Sequence, residues 1–369
     1  MSVPSSLLNL PGAVGGQGAD EAVAIHYGNP NAEQRDLASG IGIVDRSNAS
    51  IVTVTGPDRL SWLHSITSQD LTNLSAGTST ETLILSPQGH IEYALEVIDD
   101  GQTTWLITAP GAGEGLSAWL NRMKFMLRVE IVDATEQYAV IETAQAPKDA
   151  ANQVVSWGDP WPNVLSGGTR YGPAPSEHPA ANYSRVHTII ARDQLENYVQ
   201  EAQRQGLKLA GLWASEALRI EAWRPSAQYD VDERTIPHEL DWLRTAVHLH
   251  KGCYRGQETI ARVHNLGRPP RRLTMLHLDG SGHLLPEIGA ILTSAGRPVG
   301  KVTSVAQHHE LGPIALAIIK RGTDPQAQLE ITVQDEIVTA TQEIIVTPQG
   351  ESADRPAPRG QTAKGLRLR

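Results

Sequence analysis

The segment Lys251-Gly252-Cys253-Tyr254-Arg255-Gly256-Gln257-Glu258-Thr259 concentrates more chemistry than any other stretch of the chain, with a thiol, a cation, two glycines and two polar ends. If its first residues are extended, Lys251 and Cys253 point the same way, and a nearby ammonium favours thiolate over thiol. Gly256 supplies a turn, after which Gln257 to Val263 can open a helix whose N-terminal amides favour negative charge on a neighbouring sulfur or ligand. The pattern predicts an activated Cys253 assisted by Lys251. Packing remains an alternative at this point, because free cysteine is among the most buried residue types and usually serves as a small apolar filler. His248, His250 and His264 flank the segment, but their spacing fits no standard zinc pattern and no second thiol is available, so no metal site is expected.

A single cysteine excludes an internal disulfide, and also an iron–sulfur site built from the chain's own thiolates alone. A formal charge of −10 and a pI near 5.7 would repel a phosphate backbone, so no nucleic-acid partner is expected. No apolar run approaches the roughly 18 residues of a membrane span, and no Lys or Arg precedes Arg35, so the charged start of a secretory signal is missing. The expectation is a cytoplasmic protein without a membrane partner.

The elements that must position Cys253 follow from periodicity. At 369 residues the chain suits two or three packed domains. Residues 1–36 carry Gly12, Gly15, Gly16 and Gly18 with few charges and read as a loose arm with room for one short helix. From residue 37 to 145 strand-like runs dominate, beginning with Ile51 to Thr55, and Gly56-Pro57-Asp58 then opens a helix bearing Leu60, Leu63 and Ile66. A second α+β part, residues 146–272, begins with a polar, turn-rich stretch to about Asn182 that reads as a long insertion; Trp157 and Trp161 within it could anchor it to a core or cover a ligand. The stretch Leu212 to Glu221 has helical spacing and ends before Pro225. Short strands separated by Gly and Pro predict an antiparallel β-barrel over 273–348, and the basic residues after Gln349 predict a disordered tail over 349–369. The fold class is α+β with a C-terminal antiparallel β-barrel.

The segment at Cys253 resembles the K-G-C-Y-x-G-Q-E signature of the YgfZ family of folate-binding proteins, with all specified positions met by Lys251, Gly252, Cys253, Tyr254, Gly256, Gln257 and Glu258. Further blocks are similar and stand in the family's order. They are Gly42 to Ser47 with Val54 to Asp58, Thr67 to Leu71, Ser86-Pro87-Gln88-Gly89, Leu218-Arg219-Ile220-Glu221-Ala222, Val299 to Ser304 and Ile314 to Ala317. The resemblance implies a fold like that of the glycine-cleavage T protein, a cofactor that is tetrahydrofolate or a one-carbon derivative, and iron–sulfur assembly or client proteins as partners. It also implies an accessory role in iron–sulfur cluster assembly or repair, with folate-dependent aminomethyl transfer or demethylation as the alternative.

For the folate site the resemblance points to Arg219, with Glu221 beside it. A pterin's amidine-like edge pairs with a carboxylate and its oxygen or glutamate tail with a guanidinium. Two residues apart on a helix, the two side chains face different directions. In aminomethyltransferases an aspartate lies near the folate nitrogen that accepts the one-carbon unit. Here Gly89-His90-Ile91-Glu92-Tyr93-Ala94 occupies that place, so Tyr93 or Ala94, depending on register, replaces the carboxylate and standard aminomethyl transfer is not expected. Arg262, Arg268, Arg271 and Arg272 form a basic cluster that reads as a solvated loop or as an anionic contact such as a polyglutamate tail.

Overall fold

The computed structural model describes residues 3–146, 153–282 and 284–356. Two five-stranded sheets and a closed six-stranded antiparallel barrel form its framework. The first sheet orders its strands Gln153–Gly158, Val186–Ala191, Tyr138–Thr143, Gly42–Asp45 and Lys208–Ala210, antiparallel except for the last pair. The second runs Ser79–Leu85, Ile91–Asp99, Thr103–Thr108, Ser50–Thr55 and Glu130–Asp133, antiparallel throughout.

Alternation along the strands assigns each face to a core. In the second sheet Val52, Val54 and Leu106 turn to Trp62, Leu63, Leu116 and Leu120 of helices Arg59–Ile66 and Gly113–Met123. Their neighbours Ile51, Trp105 and Ile107 meet Val140 and Ile189 of the first sheet. On the far side of that sheet Ala139, Ile141 and Ile190 pack on helix Leu195–Arg204 through Leu195, Tyr198 and Val199. The result is helices, sheet, sheet and helix in layers.

The barrel follows the same rule. Along strand Gly312–Lys320, Ala315, Ala317 and Ile319 fill the barrel interior, while Ile314, Leu316 and Ile318 face Trp223, Leu240 and Trp242. Its shortest strands, Ile291–Ser294 and Leu329–Val333, have only four and five residues, too few to show a period of two in the sequence.

Two expectations are corrected. The N-terminal arm is tied down rather than loose: Leu7 is buried, residues Val14–Gly15 and Ala24–His26 pair as strands, Pro30–Ala38 is a helix, and Asp20 accepts hydrogen bonds from Asn48, Gln228 and Tyr229 at 2.8, 3.1 and 2.8 Å. The stretch taken as an insertion loop contributes the edge strand Gln153–Gly158. Trp157 and Trp161 are its anchors, both buried, donating from their indole nitrogens to the carbonyls of Thr80 (2.6 Å) and Ala222 (2.9 Å). The expected disordered tail falls largely on residues 357–369, outside those described; within reach, Arg268 pairs with Glu351 at 2.6 Å.

Candidate functional site

Where the two sheets part, the apolar filling gives way to charge. A cavity of about 80 Å³ opens there, walled by Ala94, Glu96 and Ile107 of the second sheet, Arg185 and His187 beside and on the first, and the chain from Arg224 to Gln228 that follows helix Leu212–Glu221.

His187 organises one wall. It sits opposite Glu142 in the strand register, with its Nε2 3.2 Å from that carboxylate, and its Nδ1 lies 2.6 Å from Glu96 across the gap between the sheets. Burial opposes a charge on His187, but Glu96 and Glu142 outweigh it and raise the imidazole pKa. Burial likewise works against ionised Glu142, yet the bond from His187 and the Arg46 and Arg185 charges pull it down to about 2. The arrangement is an imidazolium held between two carboxylates.

Arg224 organises the other wall. Its Nε donates to Asp159 at 3.0 Å and its Nη2 to Glu81 at 2.6 Å, while the guanidinium lies 5.4 Å from the Trp161 ring and 5.6 Å from that of Trp242. Arg185 donates to the same Asp159 at 2.7 Å. Burial disfavours the Arg224 charge, but Asp159 and Glu81 keep it protonated. Nη1 of Arg224 and Nε of Arg46, both on cavity-lining side chains, are buried without a hydrogen-bond partner among the described residues. A buried charged donor left without a partner suits an acceptor atom of a ligand.

The residues singled out for folate divide. Arg219 reaches the cavity wall, but every N–H is engaged: Nε with Glu216 (2.9 Å), Nη1 with Asp230 (2.9 Å) and the Arg224 carbonyl (2.6 Å), and Nη2 with Ser304 (2.7 Å) and Glu216 (2.8 Å). It ties the helix to the barrel, so a direct ligand contact would displace one of these bonds. Glu221 points elsewhere, toward His308 at 3.3 Å and into a separate pocket shared with Glu142 and Tyr183. Tyr93 is corrected by strand alternation: it packs on the helix-covered face of its sheet, and Ala94 takes the cavity position.

The signature lies apart from this cavity, whose lining includes none of residues 251–257. Cys253 is exposed. The expectation that Lys251 serves the thiol meets a different arrangement: the ammonium is buried and its three donors go to backbone carbonyls, those of His64, Thr67 (2.7 Å) and Gln69 (2.8 Å). Burial pulls its pKa down to about 8. Tyr254 packs beneath it, its ring 5.2 Å from Nζ, and the Gln257 amide reaches back to the Lys251 carbonyl at 3.4 Å. Gly256, at φ +85°, starts helix Gln257–Asn265, and a Cβ there would stand 2.6 Å from the Ser86 carbonyl oxygen. The signature thus pins a surface loop against the Ser86–Gly89 turn.

Glu258 faces a shallow surface pocket with His90, Arg234 and Arg262. The other members of the basic cluster disperse: Arg271 is bound by Asp232 (2.8 Å) and Glu239 (2.8 Å), and Arg272 is buried against Gln342 (2.8 Å). Sequence reasoning missed Glu81, Glu96, Glu142 and His187. Their signal was available, since each is a charged or titratable side chain inside a strand that also carries buried apolar residues, where burial demands a partner.

Residues 11–150 match the GCVT N-terminal domain and residues 271–345 the glycine cleavage T-protein C-terminal barrel domain. A chloroplastic protein of Arabidopsis thaliana that carries a transferase name is 26% identical over 79% of this chain and 67% of its own length. An aminomethyltransferase of Herpetosiphon aurantiacus is 25% identical over 88% of this chain and 91% of its own. The crystal structure of the glycine cleavage system aminomethyltransferase T from Bartonella henselae superposes with a TM-score of 0.73 over 92% of this chain and 94% of that one; at 16% identity this is a likeness of fold.

Proposed function

From a chain that carries both the N-terminal and the C-terminal barrel domains of the glycine cleavage T protein, we propose a protein that binds tetrahydrofolate or a one-carbon derivative in its central cavity and uses the exposed Cys253 in iron–sulfur cluster assembly or repair. The observation that carries the folate reading is the cavity wall in which Arg224 keeps a buried, unpartnered N–H group beside the carboxylates Glu81 and Glu96. These types suit a pterin: a carboxylate for its amidine-like edge and a guanidinium for its oxygen. The bound cofactor would supply a reduced nitrogen able to carry one carbon, while Arg224 and the carboxylates orient it.

The iron–sulfur half rests on the resemblance of the signature, and is supported by the exposure of Cys253 on a loop fixed from below by Lys251. Calorimetric titration with tetrahydrofolate tests the first half, with micromolar-range binding expected in both the native chain and Cys253→Ala. Absence of heat would remove the folate reading. Cys253→Ser should lose the support of iron–sulfur enzymes in cells, and full retention would remove the second half.

A second reading is aminomethyl transfer, favoured by the names of the relatives and by Glu96, a carboxylate one step further along the cavity face than Ala94. Against it stands Ala94 itself, which offers no acid where the resemblance implies one. Formation of methylene-tetrahydrofolate from a loaded lipoyl carrier would establish this reading.

A further inference from the structure

Beside the central cavity lies a second hollow of about 220 Å³, enclosed by the end of helix Pro30–Ala38, the end of strand Tyr138–Thr143, residues 179–184 and helix Leu212–Glu221. That volume is several times the ~30 Å³ share of one water molecule, enough for a compact organic molecule. Leu37, Ala144, Pro179, Leu218 and Ala222 give it apolar walls. Two carboxylates, Glu142 and Glu221, line it as well, and no Lys, Arg or His does so among the described residues.

Glu142 is the group that calls for a ligand. Its side chain is 4% exposed, yet all its hydrogen bonds fall on Oε2, from Ser215 at 2.9 Å and His187 at 3.2 Å, and the Arg46 guanidinium approaches that same oxygen at 3.9 Å. Oε1 takes no hydrogen bond among the described residues. Arg46 and His187 both line the central cavity, so the carboxylate divides: one oxygen serves the cavity and the other is left to the hollow. A buried acceptor without a donor costs stability, and a bound N–H group would relieve that cost. Tyr183 lines the hollow too, with its hydroxyl buried and without a hydrogen-bond partner among the described residues. Glu221 is partly exposed, with His308 at 3.3 Å. No group of three His, Cys, Asp or Glu side chains able to hold a metal ion occurs among the described residues, so the arrangement suits an organic N–H donor.

We propose that this hollow is a second small-molecule site, which takes a compact, largely apolar molecule carrying one cationic N–H group, an ammonium or amidinium, on the carboxylates Glu142 and Glu221. Apolar walls select the body of the ligand, and two acids without a base select its charge. The site stands on its own lining and needs neither the folate nor the iron–sulfur reading. Its occupant would share one carboxylate with His187, and so would be felt at the wall of the central cavity.

The probe is benzylamine, protonated at about pH 7, titrated into the full chain and followed by amide NMR shifts, with benzyl alcohol as its neutral counterpart of the same shape. Saturable shifts are expected at Leu37, Ala144, Tyr183, Leu218 and Ala222, and benzyl alcohol should bind at least about tenfold more weakly. Glu142→Gln would disturb the His187 network, so the deciding variants lie at the rim. Ala38→Trp, at an exposed position on the helix end, should fill the opening, and Glu221→Gln should remove one charge. Each should weaken benzylamine binding about tenfold or more while the melting temperature stays that of the native chain. No saturable binding, equal binding of benzyl alcohol, shifts centred instead on Ala94 and Ala227 of the central cavity, or native-like binding by either variant would overturn the proposal.

Discussion

His187 lies directly across from Glu142 in the first sheet, and the 3.2 Å contact between them leaves the second ring nitrogen to reach Glu96 of the other sheet. One imidazole therefore joins the two sheets at the mouth of the cavity. Its raised pKa means that its stabilisation is fully present below the ordinary value of 6.5 and is lost as pH rises through the folded value. Glu142, depressed to about 2 from 4.5, contributes above 4.5 and loses its contribution as pH falls through about 2. Both contributions are complete only between about pH 4.5 and 6.5. Denaturant unfolding across pH should show this window, and His187→Gln should flatten its upper edge and cost about 3–5 kcal/mol by removing the buried cation between two carboxylates. An upper edge unchanged in the variant would mean that His187 is neutral in the fold.

Lys251→Met should destabilise the chain by about 2–4 kcal/mol, because the carbonyls of His64, Thr67 and Gln69 lose their shared donor inside the protein. Chemical denaturation measures it. A cost under about 0.5 kcal/mol, within the range of surface substitutions, would show that water reaches the carbonyls and that the post is dispensable.

Arg219→Ala should act on the fold before it acts on any ligand. Asp230 would lose its cation and Glu216 would keep only Arg46, at 3.6 Å, at a cost of about 3–5 kcal/mol. If the variant keeps its melting temperature and loses only tetrahydrofolate affinity, the guanidinium is a ligand contact despite its internal bonds.

Cys253 should react with iodoacetamide in the folded protein, because its side chain is exposed. Mass spectrometry under native conditions should find the single thiol alkylated at a rate within about tenfold of the unfolded chain's at the same pH. Modification only after unfolding would assign the thiol to packing.

Phe125, exposed in the turn after helix Gly113–Met123, holds a left-handed backbone at φ +45°. Phe125→Gly should raise stability by up to about 1 kcal/mol, since relief of that backbone outweighs the added freedom of glycine in the unfolded chain. Thermal melts of the two proteins decide it. A fall in melting temperature would show that the exposed ring contributes contacts that stabilise the turn.

The sequence made the barrel legible because strands such as Gly312–Lys320 alternate between two apolar cores, and a period of two survives in the text of the chain. It made the signature legible through residue types at fixed spacing. It could not show that Lys251 turns away to three carbonyls, because backbone acceptors from His64, Thr67 and Gln69 leave no mark on residue identity. The N-terminal arm was misjudged for a related reason: its glycines suggested looseness, while its attachment depends on distant partners such as Gln228 and Tyr229 meeting Asp20. Nor could Tyr93 and Ala94 be told apart without the strand register that sends only the latter to the cavity.

The meeting of Gly256 with the Ser86–Gly89 turn leaves no cushioning layer. A Cβ on Gly256 would lie 2.6 Å from the Ser86 carbonyl oxygen and 3.2 Å from the Cα of Gly89, so two main chains bear on one another, flanked by the side chains of Leu85 and Thr259. That turn caps the hairpin formed by Ser79–Leu85 and Ile91–Asp99, whose stem carries Glu81, Ala94 and Glu96 into the cavity. From Glu81 to Leu85 the stem spans only about 13 Å at the rise of an extended strand. The hairpin is therefore a continuous line of contact from the cavity wall to the base of the loop that bears Cys253.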